Sequence, residues 1–126
     1  MAHGGVFWES IRDHTHRHFR AAAERGAALW RLSVKPTAPY RDLDGEQLIE
    51  WGGALRWLRA DDAAAPARLR VWARQHGGHA TLFRGGDKSA SVFQRLDAPI
   101  LAIHRALKAT FDPAGIFNPG RMFADF

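Results

Sequence analysis

The chain has 126 residues, no cysteine and a formal net charge of +5. That length supports one domain with a real core and not two, and the missing thiols exclude a disulfide framework, a thiolate nucleophile and a cysteine-held metal cluster. No apolar run approaches membrane-spanning length, no charged-then-apolar signal opens the chain, and the arginines are too dispersed for a nucleic-acid footprint.

Residues 1–5 read as a tag or junction remnant, and 6–126 as the single domain. Residues 6–24 read as one helix, with Trp8, Ile11, Thr15, Phe19 and Ala22 on a stripe and Gly26 as its cap. On such a helix His14 and His18 share a face at i, i+4, a spacing that metal pairs use. No third ligand is evident, so solvated or packed histidines are the simpler reading and no metal is assigned. Leu29 to Lys35 alternates with period two: Trp30, Leu32 and Val34 face one side, Arg31, Ser33 and Lys35 the other. This is a strand with a buried face and a chemically available one. Two prolines make 36–40 a loop.

Gln47 to Arg59 reads as a hairpin about a two-residue turn, Gly52-Gly53, which sets Leu48 opposite Trp57 and Ile49 opposite Arg56. Leu48, Leu55 and Trp57 then share one face and Trp51, Ala54 and Arg56 the other; periodicity does not choose between them. Asp61, Asp62 and Pro66 open a helix whose buried stripe is Ala65, Leu69, Trp72, Ala73 and His76. Gly77-Gly78 closes it and feeds a strand, His79 to Arg84, with His79, Thr81 and Phe83 on one face and Ala80, Leu82 and Arg84 on the other. Residues 85–94 read as a flexible loop. Asp97 and Pro99 start the last helix, with Ile100, Ile103, His104, Leu107 and Phe111 as its core stripe. The tail turns at Asp112-Pro113 and Asn118-Pro119-Gly120 and carries Ile116, Phe117, Met122, Phe123 and Phe126. So apolar a tail must pack against something, its own core or a surface elsewhere. The hairpin demands antiparallel pairing, so the expected fold is α+β: a mostly antiparallel four-stranded sheet with helices largely on one face.

The stretch from Leu107-Lys108 to Arg121, a helix running into a DP turn and an NPG turn, resembles the closing motif of FAD-linked oxidases of the vanillyl-alcohol oxidase type. Leu29-Trp30-Arg31-Leu32-Ser33, Glu50-Trp51-Gly52-Gly53-Ala54-Leu55-Arg56-Trp57-Leu58 and Gly77-Gly78-His79-Ala80-Thr81 narrow the likeness to the C-terminal part of the FAD-binding E subunits of glycolate oxidases. The resemblance covers roughly residues 7 to 126. It implies a cap domain closing over FAD and substrate, the dinucleotide being held by an N-terminal domain that this chain lacks. It implies oxidation of a 2-hydroxy acid, glycolate to glyoxylate, within a multisubunit complex that is cytoplasmic or, as the alternative, peripheral at the inner membrane.

On that resemblance, Arg31 is the candidate clamp for the substrate carboxylate, His79 the base for its hydroxyl proton, and Arg84 a second substrate cation. Asn118 and Arg121 are the candidate cofactor contacts at the flavin. Each has a plainer alternative: Arg31 as an interdomain arginine, His79 as a helix-end hydrogen bonder, Asn118 as a turn former. The glycine pairs lie in turn contexts without a GxGxxG, so the chain alone is expected to carry no FAD. A His-x-Gly-Asp-Gly-Asn-x-His block, used for metal by related catalytic subunits, does not occur. Direct turnover and electron relay therefore both stay open. The expected partners are the N-terminal FAD domain and sister subunits, with a homodimer through an exposed face as a further arrangement. Two other classes stand beside this reading, a subunit-interaction module and a small basic nucleic-acid-binding domain.

Overall fold

The strands are β1 (Leu29–Ser33), β2 (Glu46–Glu50), β3 (Leu55–Arg59) and β4 (His79–Arg84); the helices are α1 (His3–Arg12), α2 (Arg17–Glu24), α3 (Ala65–Gln75) and α4 (Ala98–Phe111). They come from a computed structural model that describes residues 3–24, 26–60, 62, 64–89 and 91–123. The sheet is antiparallel throughout, in the order β2-β3-β1-β4, as the α+β reading expects. With α3 joining β3 to β4 across β1, this is a split β-α-β unit. The matching crossing, from β1 to β2 over β3, is made by residues 34–45 without a helix.

Both faces of the sheet are buried. On one, Ala65, Leu69, Trp72 and Ala73 of α3 pack on Trp30, Leu32, Leu58, Ala80 and Leu82. Leu43 and Ala38 of the helix-free crossing join the same cluster. On the other face, Ile11 of α1 and Phe19 and Ala22 of α2 pack on Leu29, Leu55 and Trp57, with Leu48 beside them. The strict alternation of β1 and β3 therefore serves two cores, which is why periodicity could not name one core face of the hairpin.

A crossing without a helix leaves backbone carbonyls to be satisfied. Arg56 does this from within the sheet. Its Nη1 and Nη2 donate to the carbonyls of Pro39 (2.9 Å) and Ala38 (2.5 Å), and its guanidinium lies 4.9 Å from the Trp72 ring centroid. The side chain is 2% exposed. Gly53 belongs to the same corner: at φ 100 a Cβ there would lie 2.7 Å from the Pro36 carbonyl oxygen, so the glycine is required by close approach.

Several expectations are corrected. Residues 6–24 are not one helix: α1 ends at Arg12, and His14 takes a left-handed φ of 55. Thr15 and His16 both donate to the Ser10 carbonyl, at 2.9 and 3.0 Å. Asp, His and Thr in succession are weak helix formers, and the break lets Ile11 and Phe19 both reach the sheet. His14 and His18 consequently do not share a helix face. The hairpin has the expected register, Leu48 with Trp57 and Ile49 with Arg56. Its connection is longer than two residues, a 3-10 turn at Trp51–Gly53 ahead of Ala54. Residues 91–94 lie along the outer edge of β4, where Leu82 N–H donates to Val92 (3.0 Å) and Ala80 N–H to the Gln94 side chain (3.1 Å). The loop thus blunts an edge that would otherwise present free backbone groups.

The largest correction concerns α4. Its stripe of Ile100, Ile103, Leu107 and Phe111 is exposed and no α4 residue is buried. Ile116, Phe117 and Met122 of the tail are exposed as well. Periodicity reports a direction, and among the described residues Ile103, Leu107 and Phe111 stay exposed along it. Asp61, the first half of the expected α3 start signal, and Phe126 lie outside the described residues.

Candidate functional site

Arg31 sits opposite Thr81, and Ser33 opposite His79, on the β1–β4 ladder. Cross-strand partners project to the same face, so Arg31, Thr81 and His79 form one short polar row. That row floors a cleft of about 890 Å³ whose walls are Phe83, Phe93, Gln94, Ile100, His104, Met122 and Phe123. Phe123 ties the tail to α4 and to the loop, with ring centroids 5.9 Å from His104 and 6.4 Å from Phe93. At the rim Arg74 pairs with Asp97 at 3.8 Å. Among the described residues no carboxylate pairs with Arg31, which leaves its half-buried guanidinium available to an anion.

Of the residues singled out from sequence, Arg31 and His79 meet in this cleft. The Gly77-Gly78 pair before His79 is structural: a Cβ on Gly78 would lie 1.8 Å from the Ser33 carbonyl oxygen. The glycine lets α3 hand over to β4 against β1 and so sets His79 beside Ser33. Arg84 goes elsewhere. The β1–β4 register shifts between Leu29 and Trp30, so Leu29 faces Arg84 while Trp30 faces Leu82. This bulge re-aims the strand end and carries Arg84 to the Leu29 face, where its charge acts on His14. The expected grouping of Arg84 with Ala80 and Leu82 is thereby corrected.

Asn118 and Arg121 lie exposed on the tail outside the cleft lining. Asn118 is left-handed (φ 46), and its carbonyl accepts from the Arg121 N–H at 3.2 Å. What the structure shows for this residue is turn formation. His104, expected in a core, instead lines the cleft.

Two functional supports escaped the sequence reading. Gln94, in a segment read as loop, both caps Ala80 and lines the cleft; nothing in its sequence context signals this. Asp112 organises the tail: its carboxylate accepts from Ile116 N–H (3.0 Å) and Phe117 N–H (2.9 Å), and Lys108 Nζ donates to it at 2.5 Å. The Lys108 bond, then the backbone donors, hold the Asp112 carboxyl below its ordinary range. The i, i+4 spacing of Lys108 and Asp112 was the available signal.

A flavin dinucleotide needs backbone N–H groups converging on its pyrophosphate, and the described residues offer no such cradle. The apolar walls, the unpaired Arg31 and the imidazoles of His79 and His104 suit a small anion and the edge of a flat ring. The described residues of the cleft therefore fit the reacting end of a flavin site.

Residues 84–122, from the end of β4 through α4 and the tail, match the family described as FAD linked oxidases, C-terminal domain. The C-terminal domain signature of FAD-linked oxidases thus lies on the segment that walls the cleft. More particularly, the chain is 45% identical over 121 residues, 96% of its length, to Glycolate oxidase subunit GlcE of Escherichia coli (strain K12). Together the matches support a C-terminal fragment of a GlcE-like FAD-linked oxidase, as the sequence resemblance indicated. The chain spans about a third (32%) of that relative's length. No solved structure matches it.

Proposed function

We propose that this domain is the cap of a flavin-dependent 2-hydroxy-acid oxidase subunit, closing over glycolate and the flavin ring while the FAD is held by residues outside this chain. The observation that carries the reading is the 45% identity to GlcE across 96% of the chain. In this reading Arg31 binds the substrate carboxylate by a charge-assisted pair. His79, two positions from Thr81 on the same face of β4, takes the hydroxyl proton on an imidazole nitrogen. Phe83, Phe93 and Phe123 exclude water and strengthen both interactions. The bound flavin supplies the hydride acceptor. Asn118 and Arg121 reach the cofactor from the tail once the rest of the protein is in place. The exposed apolar side of α4 and the tail is the surface that meets that remainder, and sister subunits complete the assembly.

A chimera tests this: the matching third of E. coli GlcE is replaced by this chain, assembled with its partner subunits, and assayed for glycolate-dependent reduction of an artificial acceptor. Activity is expected. Arg31→Ala in the chimera should lower kcat/KM for glycolate about tenfold or more, because a charge-assisted pair contributes about 1.5 to 3 kcal/mol. A chimera that assembles with FAD yet never oxidises glycolate overturns the reading. So does one whose Arg31→Ala variant keeps full activity.

A further inference from the structure

The corner between α1 and α2 holds two packed histidines that the cleft does not use. His14 lies flat on Phe19, with ring centroids 4.1 Å apart and planes 8° from parallel. Trp57 meets it edge-on at 4.9 Å and Phe83 tilts against it at 5.3 Å. Three aromatic rings thus box one imidazole, held there by a left-handed backbone. Four residues on, His18 is 2% exposed and meets the same Phe19 edge-on at 5.4 Å. Its Nε2 has no hydrogen-bond partner, and its Nδ1 lies 3.6 Å from a Glu46 carboxylate oxygen. Phe19, wholly buried, is gripped between the two.

The charged groups around this corner do not favour protonation. His14 faces Arg84 from β4 and Glu50 from β2; Glu50 is engaged by the Trp57 indole N–H at 2.7 Å. His18 faces Arg59 from β3, His16 from the corner itself, and Glu46 from β2, which Arg59 already pairs. Nearby, Arg12 and Asp13 pair with each other at 2.7 Å, and Arg20 donates to the Thr15 carbonyl at 2.9 Å.

We propose that the α1–α2 corner is an acid-released latch, seated on the sheet by the neutral imidazoles of His14 and His18 and freed when both take up protons. Burial, then Arg84, holds docked His14 below the ordinary range. Burial, then Arg59 and His16, lowers docked His18 to about 4. Released, each has the ordinary affinity of an exposed histidine, near 6.5. The released form therefore binds protons that the docked form refuses. Docking is strongest above about 6.5 and weakens as pH falls toward about 4, by up to about tenfold per histidine per pH unit. The proposal does not depend on what the cleft binds, although Phe83 joins the two sites.

The test is amide hydrogen exchange of the 126-residue chain between pH 7 and 4.5, corrected for intrinsic rates, with the histidines followed by NMR. Protection of Phe19 to Ala23 should fall about tenfold or more between pH 6.5 and 5, while β1 and α3 keep theirs. His14→Phe and His18→Phe should each remove about one proton from that dependence, and the double variant should abolish it. Equal loss in β1 and α3 would mean ordinary acid unfolding and overturn the latch. Should a variant fail to fold, the wild-type titration decides. Histidines titrating at ordinary values with α2 protection intact would also sink it.

Discussion

Two arginines on neighbouring strands show how much of a residue's role lies outside its local sequence. Arg31 and Arg56 each stand beside a tryptophan in an alternating strand. Arg56 turns inward and gives its donors to the carbonyls of Ala38, Pro39 and, at 3.4 Å, Gly53; Arg31 turns into the cleft without a carboxylate partner. Burial lowers the Arg56 pKa from its very high ordinary value, yet the group stays charged. Arg56→Met would take the charged donor from the Ala38, Pro39 and Gly53 carbonyls, and should cost about 1.5 to 3 kcal/mol in urea unfolding. Arg56→Lys, lacking the planar fork, should recover only part of that. Arg31→Ala should stay within about 1 kcal/mol of the wild type, whereas Trp30→Ala, removing a core ring one position away, should cost about 3 to 5 kcal/mol. If Arg31→Ala melts like Trp30→Ala, the free-cation reading of Arg31 fails.

At the scale of elements, hydrophobic pattern gave the strands and the stripe of α3, because period-two and period-3.6 spacing report side-chain direction, and the glycine turn gave the register of the β2–β3 hairpin alone. Three things were not legible. The break at His14 depends on where Phe19 must land; the bulge that re-aims Arg84 depends on the pairing of β1 with β4; and the exposure of α4 depends on what is absent from its apolar side. Alternation put Arg31 on the free face of β1 and the glycine pair put His79 at the start of β4, while their candidate roles came from the family resemblance. Gln94 and His104 were not legible, because a loop and a helix meet the sheet there only in three dimensions. The exposed α4 stripe makes its own prediction. Ile103→Lys and Leu107→Lys, alone or together, should change stability by no more than about 0.5 kcal/mol each, where buried positions would cost several times that. The same changes should reduce concentration-dependent self-association in sedimentation and weaken assembly of the GlcE chimera. A loss of several kcal/mol would show that the stripe is covered.

For the whole molecule, the division of labour follows from what the backbone does with its glycines. Gly53 and Gly78 are committed to close approaches against Pro36 and Ser33, and the N–H groups of Gly77 and Gly78 already donate to the Arg74 and Ala73 carbonyls at 3.0 and 2.9 Å. Among the described residues the cleft offers Arg31 on its floor, Arg95 at its exposed rim and aromatic walls, which suit a ring edge and a small carboxylate. On the proposed reading, affinity for FAD comes mainly from residues beyond this chain, and the cap contributes closure and orientation. The chain incubated with excess FAD and passed through gel filtration should emerge without flavin absorbance in the visible, and its melting temperature should not rise with added FAD, since a ligand that binds only the folded state raises stability by mass action. The GlcE chimera should retain flavin under the same treatment. Stoichiometric FAD on the 126-residue chain alone would place a phosphate site within it, and the cleft floored by Arg31 and His79 would then have to hold the whole cofactor.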